Sequence, residues 1–273
     1  MRKLFSIQLI FICTTAMINA QNTEERWDTY MATYEDGKSG STTLRMDLID
    51  DAPIESFDYV LVTGLTYETS KENGFPENET FSLLHKVADD LIEIVEGETE
   101  FFLVGSFMYN YERLEYFYIK EPKNIVSKIE KFYKDNYPNY NYYLNVKEDK
   151  EWTYYRDFLY PNEEIKNYMA DQSVLRHLEE AGDKLTKARR VDHWLYFSNE
   201  LEMNKCQEEL INLNFKVEFA GINKETDPPF ELQVWRIDNV DIDSIYPITT
   251  NLRTIAQKFN GEYDGWETSI EKE

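Results

Sequence analysis

Residues 191–197 read Val-Asp-His-Trp-Leu-Tyr-Phe, and this stretch indicates how the second half of the chain folds. The aliphatic residues, Phe197 and His193 occupy alternate positions, while an acid, an indole and a phenol lie between them. Successive side chains of a strand point to opposite faces, so the alternation predicts a strand with one buried face. His193 lies on that face and Asp192 on the other. We therefore expect a core histidine and no acid–base pair.

The segments around this strand follow a defined order. Helical and strand periodicities after it run helix, strand, strand, helix, strand. The segments are residues 202–213, 215–219, 230–234, 248–259 and 262–270. With residues 191–197 they predict a β-α-β-β-α-β module.

The first half repeats this order after an opening hairpin over residues 27–34 and 42–48. Its segments are residues 59–66, 83–95, 101–109, 114–118, 125–133 and 140–146. We predict an α+β fold of two ferredoxin-like modules with antiparallel sheets, joined by a helical connector. In such modules the helices cover one sheet face and leave the other free to pack or bind.

The predicted organisation has four parts along the chain. Residues 1–20 form a leader, 21–161 the first α+β module, 162–182 the connecting helix and 183–273 the second ferredoxin-like module. The acidic excess is spread over both modules, which indicates a solvated surface and not a charged tail.

Composition excludes several classes of protein. The 273 residues include 52 acids against 29 bases, giving a net charge of -23, and 15% are aromatic. Aromatic content this high argues against intrinsic disorder. Such an acidic surface repels nucleic-acid phosphates and anionic lipid headgroups, so we predict no nucleic-acid partner. Three histidines, two cysteines and few glycines leave no pattern for a metal or cofactor site, and we predict neither.

The first 20 residues have the order of a secretory signal peptide. Arg2 and Lys3 precede a mostly apolar run of 15 residues, shorter than the ~20 that span a membrane, and Ala20 supplies a small residue for cleavage. We predict an exported protein, periplasmic or secreted, with no stable membrane insertion after cleavage. Lipidation of Cys13 is the alternative, which the preceding isoleucine disfavours. Cys206 would then be the remaining cysteine, and helical spacing predicts it as a buried thiol.

Two groups of residues resemble known families. Residues 188–197 and the segment Tyr263-Asp264-Gly265-Trp266 resemble the family of the regulator of ribonuclease E activity B. The first half resembles the bacterial domain of unknown function number 695. That resemblance rests on Asn73-Gly74-Phe75-Pro76, the strands at 104–105 and 116–118, and residues 152–161.

The second resemblance implies a function. The ribonuclease regulator is a small acidic ferredoxin-like protein that inhibits its enzyme by binding it. For this chain the resemblance implies a non-enzymatic, inhibitory or binding protein whose partner has a basic surface. The apparent export signal separates the chain from cytoplasmic ribonuclease, so the partner itself does not carry over.

Aromatic residues on the non-core side of the strands are the candidate site. We predict an interaction surface from Asp192, Trp194, Tyr196, Trp235, Asp264 and Trp266, and a motif loop from Asn73, Gly74, Phe75 and Pro76. Packing between modules is the simpler explanation of these rings. One alternative is a hydrolase with Tyr263 and Asp264 as acid–base groups and no identified nucleophile. The other is a small-ligand or peptide site in a cleft between the modules.

Overall fold

The computed structural model describes residues 25–34 and 36–272. The leader prediction and Cys13 lie outside them. The described chain divides into two compact units. One holds Thr42–Asp157 with the residues up to Thr29, and the other holds Tyr30–Ser41 with the residues from Phe158 onward. Each unit is mixed α+β, as expected.

The first half of the chain forms a six-stranded sheet, two α-helices and a short π-helical segment. In chain order these are β1 (Trp27–Thr33), β2 (Ser39–Arg45), β3 (Tyr59–Thr66), α1 (Asn78–Glu96), β4 (Phe101–Tyr109), β5 (Glu112–Ile119), α2 (Ile125–Asn136), β6 (Tyr142–Glu148) and the π-helical turn Tyr154–Leu159. A 3-10 turn over Asp47–Asp50 follows β2. The strand order is β1-β2-β4-β5-β3-β6, so the opening hairpin extends the sheet at β4.

Helices α1 and α2 pack on one face of this sheet. Leu84, Val87, Leu91 and Val95 recur at helical spacing along α1 and are buried against apolar residues of β3 and β5. Strands β3 and β5 approach closely at Gly64, where an added Cβ would lie 1.8 Å from the Arg113 carbonyl oxygen. Glycine is therefore required at this position of β3.

Aromatic rings cover part of the opposite face. Trp152 stacks on Tyr118 of β5 with ring centroids 4.0 Å apart, and its indole donates to the Phe57 carbonyl at 2.9 Å. Asp149 holds the segment in place, because its carboxylate accepts from the Tyr118 hydroxyl at 2.6 Å and from the Thr153 amide and hydroxyl at 3.1 and 2.8 Å. The Tyr154 amide also donates to it at 3.1 Å.

The second half forms a four-stranded sheet with three helices. In chain order these are α3 (Glu163–Glu180), β7 (Arg189–Phe197), α4 (Glu200–Asn212), β8 (Lys216–Ile222), β9 (Phe230–Asp238), α5 (Ile242–Lys258) and β10 (Gly261–Thr268). The strand order is β10-β7-β9-β8, and all three pairings are antiparallel. If the four strands of this half are numbered in chain order from β7 to β10, the sheet order is fourth, first, third, second. Strands β6, β3, β5 and β4 of the first half follow the same order.

All three helices of the second unit pack on one face of its sheet. Leu195, Phe197, Leu232 and Val234 face α4 and α5, and Val191 and Trp266 face α3. Buried Cys206 belongs to the same core, and burial raises the pKa of its thiol to about 12. Searched over the described residues, the helices include none with the length and apolarity needed to cross a bilayer.

Replacing Asp149 with Asn tests how the first unit is held. An amide keeps one acceptor but turns an NH2 group toward the donors of Tyr118 or Thr153, so we expect the free energy of unfolding to fall by about 2–4 kcal/mol. Asp157→Asn, at an exposed position of the same segment, should change it by less than about 0.5 kcal/mol. Hydrogen exchange of β5 amides over a urea series measures both, and equal protection in the two variants would contradict this role.

The same pair gives a pH test. Burial alone would raise the pKa of Asp149, but the donors from Tyr118, Tyr154 and Thr153 outweigh it and hold the pKa below its usual range. A depressed pKa adds stability above the unfolded value near ~4, and this stability is lost as pH falls through the folded pKa. The difference between wild type and Asp149→Asn should therefore shrink as pH is lowered from 5 toward 2.

Candidate functional site

The face of the second sheet opposite its three helices carries most of the predicted interaction residues. We call it the outward face, and on β7 it consists of Arg190, Asp192, Trp194 and Tyr196. The alternate residues of β7 are buried, so the predicted strand and its inward row are confirmed. The outward rings are half-buried, with an apolar body and a polar tip that suit a contact surface.

Strand register assembles this face from four strands. Asp192 lies opposite Trp235 on β9 and Glu267 on β10, and Trp194 lies opposite Gln233 and Gly265. Directly opposed residues point to the same side of an antiparallel sheet. The structure therefore brings Asp192, Trp194, Tyr196 and Trp235 onto one surface.

Trp235 lies between two cations. The Arg190 guanidinium and the Lys216 ammonium each lie 4.5 Å from a Trp235 ring centroid. A cation over an indole face gains about 0.5–1 kcal/mol at an exposed site. These two contacts favour the observed orientation of the ring.

Asp192 fixes Arg190 in this arrangement. The guanidinium donates to the two carboxylate oxygens at 2.6 and 2.7 Å, and the Gln233 amide donates to one of them at 3.2 Å. Arg190 also donates to Glu218 at 2.9 Å. Hydrogen bonding to Asp192 raises the pKa of Arg190, although burial opposes the shift. Asp192 is therefore an organising residue of the face whose charge is already paired.

The side of the face near Tyr196 is acidic. Tyr196 lies opposite Glu231 on β9 and Glu262 on β10. Burial raises the pKa of the Tyr196 hydroxyl, and the charges of Glu231 and Asp264 raise it further. We call Glu231 and Glu262, together with Asp264 and Glu267 farther along β10, the acidic rim. A cationic group that docked beside Tyr196 would be attracted by this rim.

Trp266 does not lie on the outward face, so its expected position is wrong. It pairs with His193 on the inward side, is 7% exposed, and donates its indole N–H to Asp171 of α3 at 3.0 Å. A β-bulge between Tyr263 and Gly265 adds one residue to the strand and reverses the alternation after it. Asp264 precedes the reversal and is exposed, while Trp266 follows it and anchors a helix.

The proposed acid–base pair of Tyr263 and Asp264 is not formed. The Tyr263 hydroxyl lies 2.9 Å from His193 Nδ1 inside the unit, and Arg253 lies over its ring at 4.8 Å. Asp264 is exposed. Burial, helped by the charge of Arg236, lowers the pKa of His193 to about 3, so this histidine is neutral at physiological pH.

The motif loop Asn73–Pro76 connects β3 to α1 in the first unit. Its carbonyl groups are engaged by the Tyr67 hydroxyl at 3.0 Å, the Thr69 hydroxyl at 2.8 Å and the Lys71 ammonium at 2.7 Å. Gly74 has φ +76°, a conformation that favours glycine. Internal hydrogen bonds therefore fix the loop, and three of its backbone carbonyl groups already have a donor.

The sequence did not reveal several residues of the outward face. Arg190, Lys216, Gln233 and exposed Phe219 join it through strand register. Alternation along β9 could have revealed Gln233, but a bulge between Val217 and Phe219 interrupts the period on β8. Among the described residues no group of three or more His, Cys, Asp or Glu is arranged to hold a metal ion.

Two family models match the chain. Residues 25–160 match the model described as Family of unknown function (DUF695), and residues 169–268 match Regulator of ribonuclease activity B. Both resemblances predicted from the sequence are confirmed, and they divide the chain at residues 160–169. Curated proteins gave no significant match.

Two tryptophan substitutions test the assignment of faces. Trp266→Phe leaves Asp171 without its indole donor, so we expect the free energy of unfolding of the second unit to fall by about 1–3 kcal/mol. Trp194→Phe removes the same group from the outward face, where no hydrogen bond among the described residues depends on it, and should cost less than about 0.5 kcal/mol. Hydrogen exchange of the β7 amides, measured over a urea series, compares the free energies of unfolding of the two variants. A larger loss for Trp194→Phe would show that the faces are assigned wrongly.

Proposed function

We propose that this protein is a non-enzymatic binding or inhibitory protein whose outward face docks a basic surface of a partner protein. One observation carries the proposal: three aromatic rings, Trp194, Tyr196 and Trp235, share one sheet face beside the acidic rim. Aromatic residues that lie together on a partly exposed face are enriched at protein interfaces. The surrounding carboxylates select the sign of the partner's charge.

The strand order supports ferredoxin-like modules. Each half has the element order β-α-β-β-α-β and the sheet order fourth, first, third, second. We propose that both halves are modules of this kind, with the hairpin β1–β2 added to the first and the predicted connecting helix, α3, packed onto the second. In the second module the helices occupy one face, which leaves the outward face as the binding side.

The family match supports regulation by protein binding. Residues 169–268 match a family described as a regulator of ribonuclease activity, and they include all the strands of the outward face. We propose regulation as the general role and leave the ribonuclease out, because the predicted leader would place this chain in another compartment. The separation of Tyr263 from Asp264 removes the acid–base pair that supported a hydrolase. The cleft between modules stays a sequence prediction.

Electrostatics favour a basic partner. The chain carries a net charge of -23, and loss of Arg2 and Lys3 with the leader would deepen it to -25. On the outward face, Arg190 bonds to both Asp192 and Glu218. Arg190 and Lys216 are equal in number to these two acids, which leaves the acidic rim in excess. Association should therefore weaken as salt rises.

Affinity capture with matched variants tests this function. The mature chain should retain a basic protein from a cell-envelope extract at low salt, and Trp194→Ala with Tyr196→Ala should weaken that association at least about tenfold. Tyr143→Ala, which removes an exposed ring from the first unit, should leave it unchanged. Nothing retained above background, or equal retention by both variants, would contradict the proposal.

Export has its own test. We propose that the protein is periplasmic or secreted, and we expect N-terminal sequencing of the protein from its native host to begin at Gln21. Fractionation should place it outside the cytoplasm. A chain that keeps Met1 and stays in the cytoplasm would reject export and would reopen the question of a ribonuclease partner.

A further inference from the structure

We propose that a groove in the first unit binds a neutral oligosaccharide. The groove has a volume of about 980 Å³ and lies where β3 ends, beside the turn between β4 and β5 and the loop between α2 and β6. Small-molecule sites commonly occupy ~300–1,000 Å³. This groove is formed within one unit and is separate from the outward face.

The lining of the groove is aromatic and polar but almost uncharged. It contains the rings of Tyr67, Tyr111 and Tyr140, the amides of Asn139 and Asn141, three threonines and the carboxylate of Glu68. Sugars present C–H groups on the ring faces and hydroxyls around the edge. Phenol rings pack against the first, while amides and carboxylates bind the second.

Hydrogen bonding divides this lining into fixed and available groups. The hydroxyls of Tyr67, Thr69 and Thr66 each donate to a backbone carbonyl, which fixes their positions and leaves only acceptor capacity. Within the described chain, the side chains of Asn139, Asn141 and Glu68 make no hydrogen bond to protein. The side chains of Asn139, Asn141 and Glu68 can therefore donate to or accept from a ligand, while the hydroxyl groups of the lining stay fixed.

The backbone conformation at Tyr111 also points to a ligand. Asn110 and Tyr111 have φ +48° and +66°, the two left-handed positions of a type I′ hairpin turn, where glycine is strongly preferred at the second position. A tyrosine is disfavoured in this conformation, because its Cβ crowds the backbone. Its ring lines the groove and is 42% exposed, so a ligand could reach it. Strain of this kind is typical of binding sites.

The same lining disfavours other ligand classes. No lysine, arginine or histidine lines the groove, so an anionic ligand would meet Glu68 without a counter-charge. The N-terminus of α1 is close by, but Glu77 and Glu79 already supply negative charge there. No aliphatic side chain lines the groove, which disfavours a lipid tail. A neutral polyol remains the best fit.

Calorimetric titration of the full mature chain tests the proposal. The probes are cellotetraose, chitotetraose, maltotetraose and mannotetraose, with tetragalacturonate as the anionic counterpart and an uncharged octapeptide as the peptide counterpart. We expect at least one neutral tetrasaccharide to bind with a Kd of about 10 µM–1 mM, and neither counterpart to bind.

Variants separate binding from folding. Tyr111→Gly removes the ring but relieves the turn, so it should weaken sugar binding at least about tenfold while Tm stays the same or rises. Asn141→Ala should weaken it similarly, and Tyr143→Ala outside the groove should not. The proposal is overturned if no neutral probe binds at 10 mM, if the peptide binds in place of the sugars, or if Tyr111→Gly and Tyr143→Ala bind alike.

Discussion

The second unit depends on the hydrogen bonds that the Asp171 carboxylate accepts. It is buried on α3, and it accepts from the Trp266 indole of β10 at 3.0 Å and from the Thr249 hydroxyl of α5 at 2.5 Å. Arg253 lies 3.8 Å away and partly balances its charge. Burial raises the pKa of Asp171, while these partners oppose the shift. A buried carboxylate is tolerated only when it is hydrogen-bonded in this way. These bonds attach α3 both to α5 and to strand β10 of the sheet.

The two sheets differ in what covers the face opposite their helices. In the first sheet, Trp152 and Tyr118 stack on the face away from α1 and α2, and Asp149 fixes the covering segment. In the second, the helices and Trp266 are all on the inward side, and the outward face presents rings and acids. The same strand order therefore supports a covered face in one half and a face of half-buried rings and exposed acids in the other. Loops add a third surface, because the left-handed turn at Tyr111 places a ring in the groove.

Strand and helix periodicity predicted much of this structure. The alternation along β7 placed His193 inward and Trp194 outward, because a regular strand has a period of two. Trp266 was misplaced because a bulge is a backbone irregularity, and neither Asp264 nor Gly265 announces it in the sequence. Helix α5 begins six residues earlier than predicted, since Asp241 caps it and Pro247 is accommodated inside it. The cations around Trp235 could not be predicted because they depend on register between strands far apart in the chain.

Oxidative footprinting of single aromatic residues, read by mass spectrometry with and without the captured partner, tests the central claim most directly. If the outward face is the contact surface, Trp194, Tyr196 and Trp235 lose reactivity when the partner binds, while Trp266 stays weakly reactive in both states. Protection confined to first-unit tyrosines such as Tyr143, with Trp194 and Trp235 unchanged, would contradict the account.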